Sequence, residues 1–156
     1  MGQALEKWIK QTAPMSPRAA AMLNLIVAAS RVEHGLEVLM EPYGITRRQY
    51  NVMRILRGAH PEGHPRSEVA ARMADRAPDV TRLIDRLVQL DFVERIKGTK
   101  DKRESIAKLT SKGMSVLKKL DPLVSNYIEN EFGGLYTREE CLLLSEFCER
   151  TYQSDE

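Results

Sequence analysis

Apolar residues from Met22 to Met40 recur at helical spacing, through Leu25, Ile26, Ala29, Val32, Leu36 and Leu39. Leu23 and Val27 add apolar surface elsewhere on the same segment. A helix over 18–40 therefore shows more than one apolar stripe, which calls for two neighbours: its own domain and either another chain or further intramolecular packing. Glu41-Pro42-Tyr43-Gly44 ends it with turn residues. The seventeen residues before it carry Trp8 and Ile9 but close on Pro14 and Pro17, and read as an arm preceding the domain.

Thr46 opens a second helix with a capping box, its hydroxyl at the N-cap and Gln49 three positions on. Tyr50, Met53, Ile55 and Leu56 are its apolar positions. Residues 58–65 hold two glycines and two prolines and read as a loop. A short helix over 67–73 follows, with Ser67 as cap and Val69, Ala70 and Met73 facing inward. After a break at Asp75-Arg76-Ala77, Pro78 falls in the first turn of a helix that reaches Leu90. Asp79 suits the positive end of that helix's dipole. Val80, Leu83, Ile84, Leu87 and Leu90, at spacings of three and four, form one buried stripe.

The pattern then changes period. Residues 92–96 and 105–109 read as two short strands around a polar, glycine-bearing tip over 97–104. Thr110 caps another helix, which Pro122 should bend or interrupt. Gly133-Gly134 is a break, Thr137 with Glu140 forms a second capping box, and the last helix carries Leu142, Leu143, Leu144, Phe147 and Cys148. There is no internal repeat.

Length and composition narrow the class. The 156 residues are 42% hydrophobic and 29% charged, which points to one globular domain and excludes wholesale disorder. Two cysteines suggest a reducing compartment and no disulfide framework. No apolar run approaches the roughly 18 residues that span a bilayer. Residues 19–29 loosely resemble a signal-peptide core, but Asn24 interrupts them and Arg31, Glu33 and His34 follow at once. The expectation is a cytoplasmic protein without a membrane partner.

The net charge of +2 says little, but its distribution says more. Residues 46–113 hold 16 Lys/Arg against 9 Asp/Glu, a local +7, and the remainder holds 8 against 13, a local −5. A basic middle between acidic ends suggests a surface that seeks a polyanion. On 78–90 the positions opposite the buried stripe are Asp79, Thr81, Arg82, Asp85 and Arg86, with Arg76 at the helix entrance. The hairpin adds Lys97, Lys100, Lys102 and Arg103. Taken alone, the helix reads as an ordinary amphipathic surface helix and the hairpin as a solvated loop. Adjacent, and preceded by a short supporting helix, they make a winged helix-turn-helix. One helix then lies in a major groove about 12 Å wide while the wing follows the backbone or enters the minor groove. Double-stranded DNA is the predicted partner.

These residues resemble a known family. Asp75-Arg76-Ala77-Pro78-Asp79-Val80-Thr81-Arg82-Leu83-Ile84-Asp85-Arg86-Leu87 is similar to the recognition-helix segment of the MarR family of bacterial transcriptional regulators. Asp101-Lys102-Arg103, five residues, then Leu109-Thr110-Ser111-Lys112-Gly113 matches its wing signature. The resemblance implies a mainly α fold with a small β-wing: a winged helix-turn-helix flanked by long N- and C-terminal dimerisation helices. It divides the chain into an arm (1–17), an N-terminal dimerisation helix (18–45), the DNA-binding region (46–113) and C-terminal dimerisation helices (114–156), all within one intertwined domain. It implies a homodimer on a pseudo-palindromic operator, acting as a repressor and released by a small aromatic effector. It also implies a minor-groove role for Arg103 and a wing-bracing role for Asp101, and places Thr81 and Arg82 at positions that commonly meet bases or phosphates; Arg76, Pro78, Asp79 and Arg86 complete the expected DNA contacts on this segment. Two alternatives stay open: a ligand-independent DNA binder, and a winged-helix protein-interaction module.

Other residues read more plainly. Arg31 and His34 on the first long helix, with Tyr43 and Tyr50, are candidate effector contacts, though solvated, dimer-facing or core positions also suit them. Cys141 and Cys148 are seven apart, about 10 Å along a helix axis and too far for an intrachain disulfide. His60 and His64 flank Pro61 and Gly63 in a loop without a completing ligand set, so no metal is expected. No Walker loop, dinucleotide glycine fingerprint, nucleophile elbow or helical zincin pair is present. Neither a cofactor nor an enzyme activity is expected.

Overall fold

A computed structural model describes residues 3–10, 15–73, 79–98 and 105–153. Helix α1 spans Gln3–Ile9, α2 Pro17–Met40, α3 Arg47–Gly58, α4 Arg66–Arg72, α5 Val80–Gln89, α6 Ser111–Asn126 and α7 Arg138–Glu149. Three strands, β1 (His64–Pro65), β2 (Val93–Lys97) and β3 (Ser105–Leu109), form one antiparallel sheet in the order β1-β3-β2. The fold is mainly α with a small β-wing.

Local signals explain most boundaries. Ser16 caps α2 by accepting from the Ala19 N–H at 3.2 Å, with Pro17 at the first helical position. Gly44 takes the left-handed conformation (φ 66°) after a 3-10 turn over Glu41–Tyr43. The Thr46–Gln49 and Thr137–Glu140 capping boxes both form, and Thr110 caps α6.

The core gathers α3, α5, α6 and the wing root. Met53, Leu56, Ile84, Leu87, Leu117, Leu120 and Val93 are fully buried there. Val80, Ile84 and Leu87 bury the inner stripe of α5, each contributing about 1.5–3 kcal/mol. Leu83 and Leu90 pack against the same core, half-buried. Arg47 ties the start of α3 to α2: its N–H donates to Glu37 Oε2 at 3.0 Å, and its Nη2 lies 2.8 Å from Glu33 Oε1.

Several expectations are corrected. The arm contains a helix, α1, because Leu5 finds a buried seat. Residues 58–65 are not all loop: Gly58 ends α3, and His64–Pro65 pairs with β3. That pairing runs directly into α4, so Pro65 takes the cap position and Ser67 lies inside the helix. Ala70 is exposed, since this seven-residue helix buries only the narrow stripe from Val69 to Met73. α5 starts at Val80 with Asp79 as its cap, the Asp79 carboxylate accepting from the Arg82 N–H at 3.1 Å, whereas Pro78 lies outside the described residues. β2 is shifted by one residue, as Phe92 is drawn back by its N–H bond to the Leu87 carbonyl. Pro122 does not interrupt α6: Leu117, Leu120 and Val124 stay buried on either side of it, and the helix runs on to Asn126 before widening into a π-helical turn over Tyr127–Phe132.

Candidate nucleic-acid interface

Burying Val80, Ile84 and Leu87 leaves the opposite side of α5 in solvent. Thr81, Arg82, Arg86 and Gln89 are exposed there. The Arg82 side chain is 87% exposed, yet its Nε rests 2.8 Å from Asp79 Oδ2. One carboxylate thus caps the helix and orients the arginine beside it. Arg86 Nη1 donates to Gln89 Oε1 at 3.3 Å. Asp85 is only half-buried and does not project freely: Arg95 Nη2 of β2 lies 2.8 Å from its Oδ1.

Register places the wing beside this face. Val93 pairs with Leu109, Arg95 with Ala107 and Lys97 with Ser105. Val93, Ala107 and Leu109 anchor the root in the core, whereas Glu94, Arg95, Ile96 and Lys97 are exposed. A cleft of about 360 Å³ runs between the start of α4, the recognition helix and the wing root. Thr81 and Arg95 line it together with Arg66, Ser67 and Ser105.

Of the predicted contacts, Asp79, Thr81, Arg82, Arg86 and Lys97 lie within the described residues, whereas Arg76, Pro78, Lys100, Asp101, Lys102 and Arg103 lie outside them. Arg66, Ser67, Arg95 and Ser105 were missed by sequence reasoning. Arg95 was legible only as a strand residue, and the pairing of β1 with β3 that sets Arg66 at the cleft rests on two residues inside an apparent loop.

The four effector candidates separate. Arg31 and His34 line a cavity of about 590 Å³ with Trp8, Tyr127, Glu131 and Phe132. The Arg31 guanidinium stands 5.7 Å from the Trp8 ring centroid. Tyr127 donates to the Val32 carbonyl at 3.3 Å, and a side chain at Gly35 would run into the Tyr127 ring. Tyr43 and Tyr50 do not line this cavity. Tyr50 is buried in the core with the Arg54 guanidinium 5.9 Å from its ring, and Tyr43 packs against that core. Burial pushes the Tyr50 hydroxyl above its ordinary pKa, while the Arg54 charge pulls partly the other way.

Among the described residues, no group of three His, Cys, Asp or Glu could hold a metal ion, and no helix is long and apolar enough to cross a membrane. Cys141 and Cys148 are free thiols, both half-buried on α7.

The MarR family model matches residues 45–105, which take in α3 through the start of β3. Over 112 residues the chain is 30% identical to the HTH-type transcriptional regulator YkoM of Bacillus subtilis, covering 72% of this chain and 71% of that protein. The chain belongs to the MarR family. Two solved structures share the fold of this MarR-family regulator. A cysteine-to-serine mutant of Escherichia coli MarR, complexed with operator DNA, superposes with a TM-score of 0.73 at 24% identity, over 82% of this chain and 90% of that one. BpsR of Bordetella bronchiseptica, whose DNA binding is regulated by 6-hydroxynicotinic acid, gives a TM-score of 0.76 at 19% identity, over 92% and 99%. The protein is accordingly a DNA-binding transcriptional regulator with a winged helix.

Proposed function

We propose that this regulator acts as a homodimeric repressor, reading a pseudo-palindromic operator with two winged lobes and leaving it when a small aromatic molecule binds. The observation that carries the reading is the shared face of α5 and the wing root, where Arg82, Arg86, Arg95 and Lys97 are all exposed beside the cleft that Arg66 lines. Thr81 and Arg82 enter the major groove, and Lys97, with Lys100, Lys102 and Arg103, follows the strands alongside. Arg76 and Pro78 stand at the entrance of the recognition helix, and Asp101 braces the wing.

A second copy supplies what α2 and α7 lack. Met22, Ile26, Leu142, Leu143 and Phe147 are each at least half exposed, and an almost wholly apolar cleft separates the two helices. Large apolar side chains exposed on both sides of an apolar cleft are characteristic of an interface rather than of a monomer's surface. Residues 18–45 and 114–156 therefore form the dimerisation elements. Two lobes then meet successive grooves about 34–36 Å apart.

The cavity that Arg31 and His34 line suits an aromatic acid: Trp8 and Phe132 are aromatic neighbours in its lining and Arg31 supplies a cation. BpsR, regulated by an aromatic acid, supports the analogy. Release requires the ligand to favour one of two lobe spacings, since equal affinity for both shifts nothing.

The test starts from duplexes selected out of a random pool. Affinity for them should fall steeply with salt, at a log–log slope near −0.9 per phosphate contact, with the protein sedimenting as a dimer. Aromatic acids, 6-hydroxynicotinic acid among them, should then lower affinity in wild type and lose this effect in Arg31→Ala. A flat salt response favours the protein-interaction module. Salt-dependent binding that no aromatic acid shifts leaves a ligand-independent DNA binder.

A further inference from the structure

The C-terminal end of the recognition helix is held by the first turn of the helix that follows the wing. After α5 the chain passes through Leu90, Asp91 and Phe92 into β2, with Asp91 in the left-handed region (φ 59°). Contacts from Thr110, Lys112 and Gly113 converge on these three residues. Thr110 Oγ1 donates to the Asp91 carbonyl at 2.7 Å while accepting from the Gly113 N–H at 3.0 Å. The Thr110 N–H donates to the Phe92 carbonyl at 3.0 Å. Lys112 Nζ donates to the Leu90 carbonyl at 2.9 Å, lies 3.6 Å from Asp91 Oδ2, and stands 5.3 Å from the Phe92 ring centroid. Gly113 makes the approach possible, because a Cβ there would run into the Phe92 carbonyl.

We propose that Lys112 is a positioning residue for DNA reading. With Thr110 and Gly113 it latches the end of α5 to α6, setting the angle at which the exposed stripe of α5 meets the groove. The chemistry favours this over a phosphate contact. A cation at a helix C-terminus satisfies carbonyls that have no partner within the helix. The Lys112 ammonium donates to a carbonyl with a carboxylate and a ring face beside it, and all three belong to the end of α5 and the residues just after it. At the other end Asp79 only caps α5 through its own Arg82, so the tie to a neighbouring helix is at the C-terminal end. Rotation of the helix on its core stripe is thereby resisted at its C-terminal end.

The inference rests on the DNA-binding reading, and its test separates the two. Lys112→Met keeps an unbranched aliphatic side chain and removes the ammonium; Lys112→Gln is the second variant should the first fail to fold. On a duplex selected by the wild-type protein, affinity should fall about three- to tenfold, the scale of one charged hydrogen bond on a partly exposed side chain. Affinity for a random duplex of the same length should stay within about twofold, with an unchanged salt slope. Equal losses on both duplexes, with a slope shallower by about 0.9, would make Lys112 a phosphate contact and overturn the proposal. So would unchanged binding to both. If the wild-type chain binds no duplex, the DNA reading has failed, and the latch is judged by amide exchange in the free protein. The Leu90 and Phe92 N–H groups should then exchange about tenfold faster in Lys112→Met, and equal exchange overturns it.

Discussion

Arg95 Nη2 and Asp85 Oδ1 are 2.8 Å apart, joining β2, the first strand of the wing hairpin, to the middle of the recognition helix. Both side chains keep much of their surface in water, 39% and 49% exposed, so the pair contributes at most about 1 kcal/mol to stability. Its larger effect is on orientation, because two elements that must address adjacent grooves share one ion pair. Asp85→Asn should leave the melting temperature nearly unchanged while weakening binding to a selected duplex. A double-mutant cycle with Arg95→Met on binding free energy should return a coupling of about 0.5 kcal/mol or more. Additive losses would show that the wing and helix are oriented independently of this pair.

Arg82 carries a different expectation. Its guanidinium is held in the free protein by Asp79, at the rim of the exposed stripe. If Arg82 reads a base, Arg82→Ala should reduce discrimination between selected and random duplex by about 1–3 kcal/mol. Equal losses on both duplexes would assign it to a phosphate. Asp79→Ala removes the cap as well as the partner, and should cost about 0.5–2 kcal/mol of folding stability measured by denaturant unfolding.

What the sequence made legible follows from the range of the forces involved. Thr46 with Gln49, Thr137 with Glu140 and Thr110 before Gly113 are signals complete within four residues, and each forms as read. The buried stripe of α5 was legible for the same reason: its period is a property of the helix alone. The misreadings depended on distant partners. Ser67 loses the cap position because β1 pairs with β3, some forty residues away. Pro122 is tolerated because burial of Leu120 and Val124 outweighs one lost backbone bond. Asp85 looked free because its partner Arg95 lies on another element. At the DNA face, the exposed stripe was visible in sequence, and the cleft with Arg66 and Ser105 was not, since it exists only once the sheet has formed.

Arg103, in the wing signature, tests the tip of the hairpin directly. Arg103→Ala should weaken binding to nearly all duplexes, with the log–log salt slope shallower by about 0.9 for each phosphate contact it makes. Discrimination between selected and random sequence should change less than in Arg82→Ala. An unchanged slope and affinity would remove the wing tip from the interface.

Tyr50 ties stability to alkaline pH. Burial raises its pKa above the ordinary 10.0 despite the opposing charge of Arg54. Below about pH 10 the hydroxyl is protonated whether the chain is folded or not, and ionisation contributes nothing to the difference. As pH rises beyond that value the unfolded chain releases the proton first. The folded state then holds more protons than the unfolded one, and stability declines until the folded hydroxyl also ionises. Wild type should therefore lose more stability than Tyr50→Phe between pH 9 and pH 11, measured as the shift in urea midpoint at each pH. The other tyrosines and the lysines titrate in both proteins, so the difference between the two curves isolates this hydroxyl. Parallel curves would mean that Tyr50 ionises as readily in the folded protein as in the unfolded chain, and that the desolvation of its hydroxyl is too slight to matter.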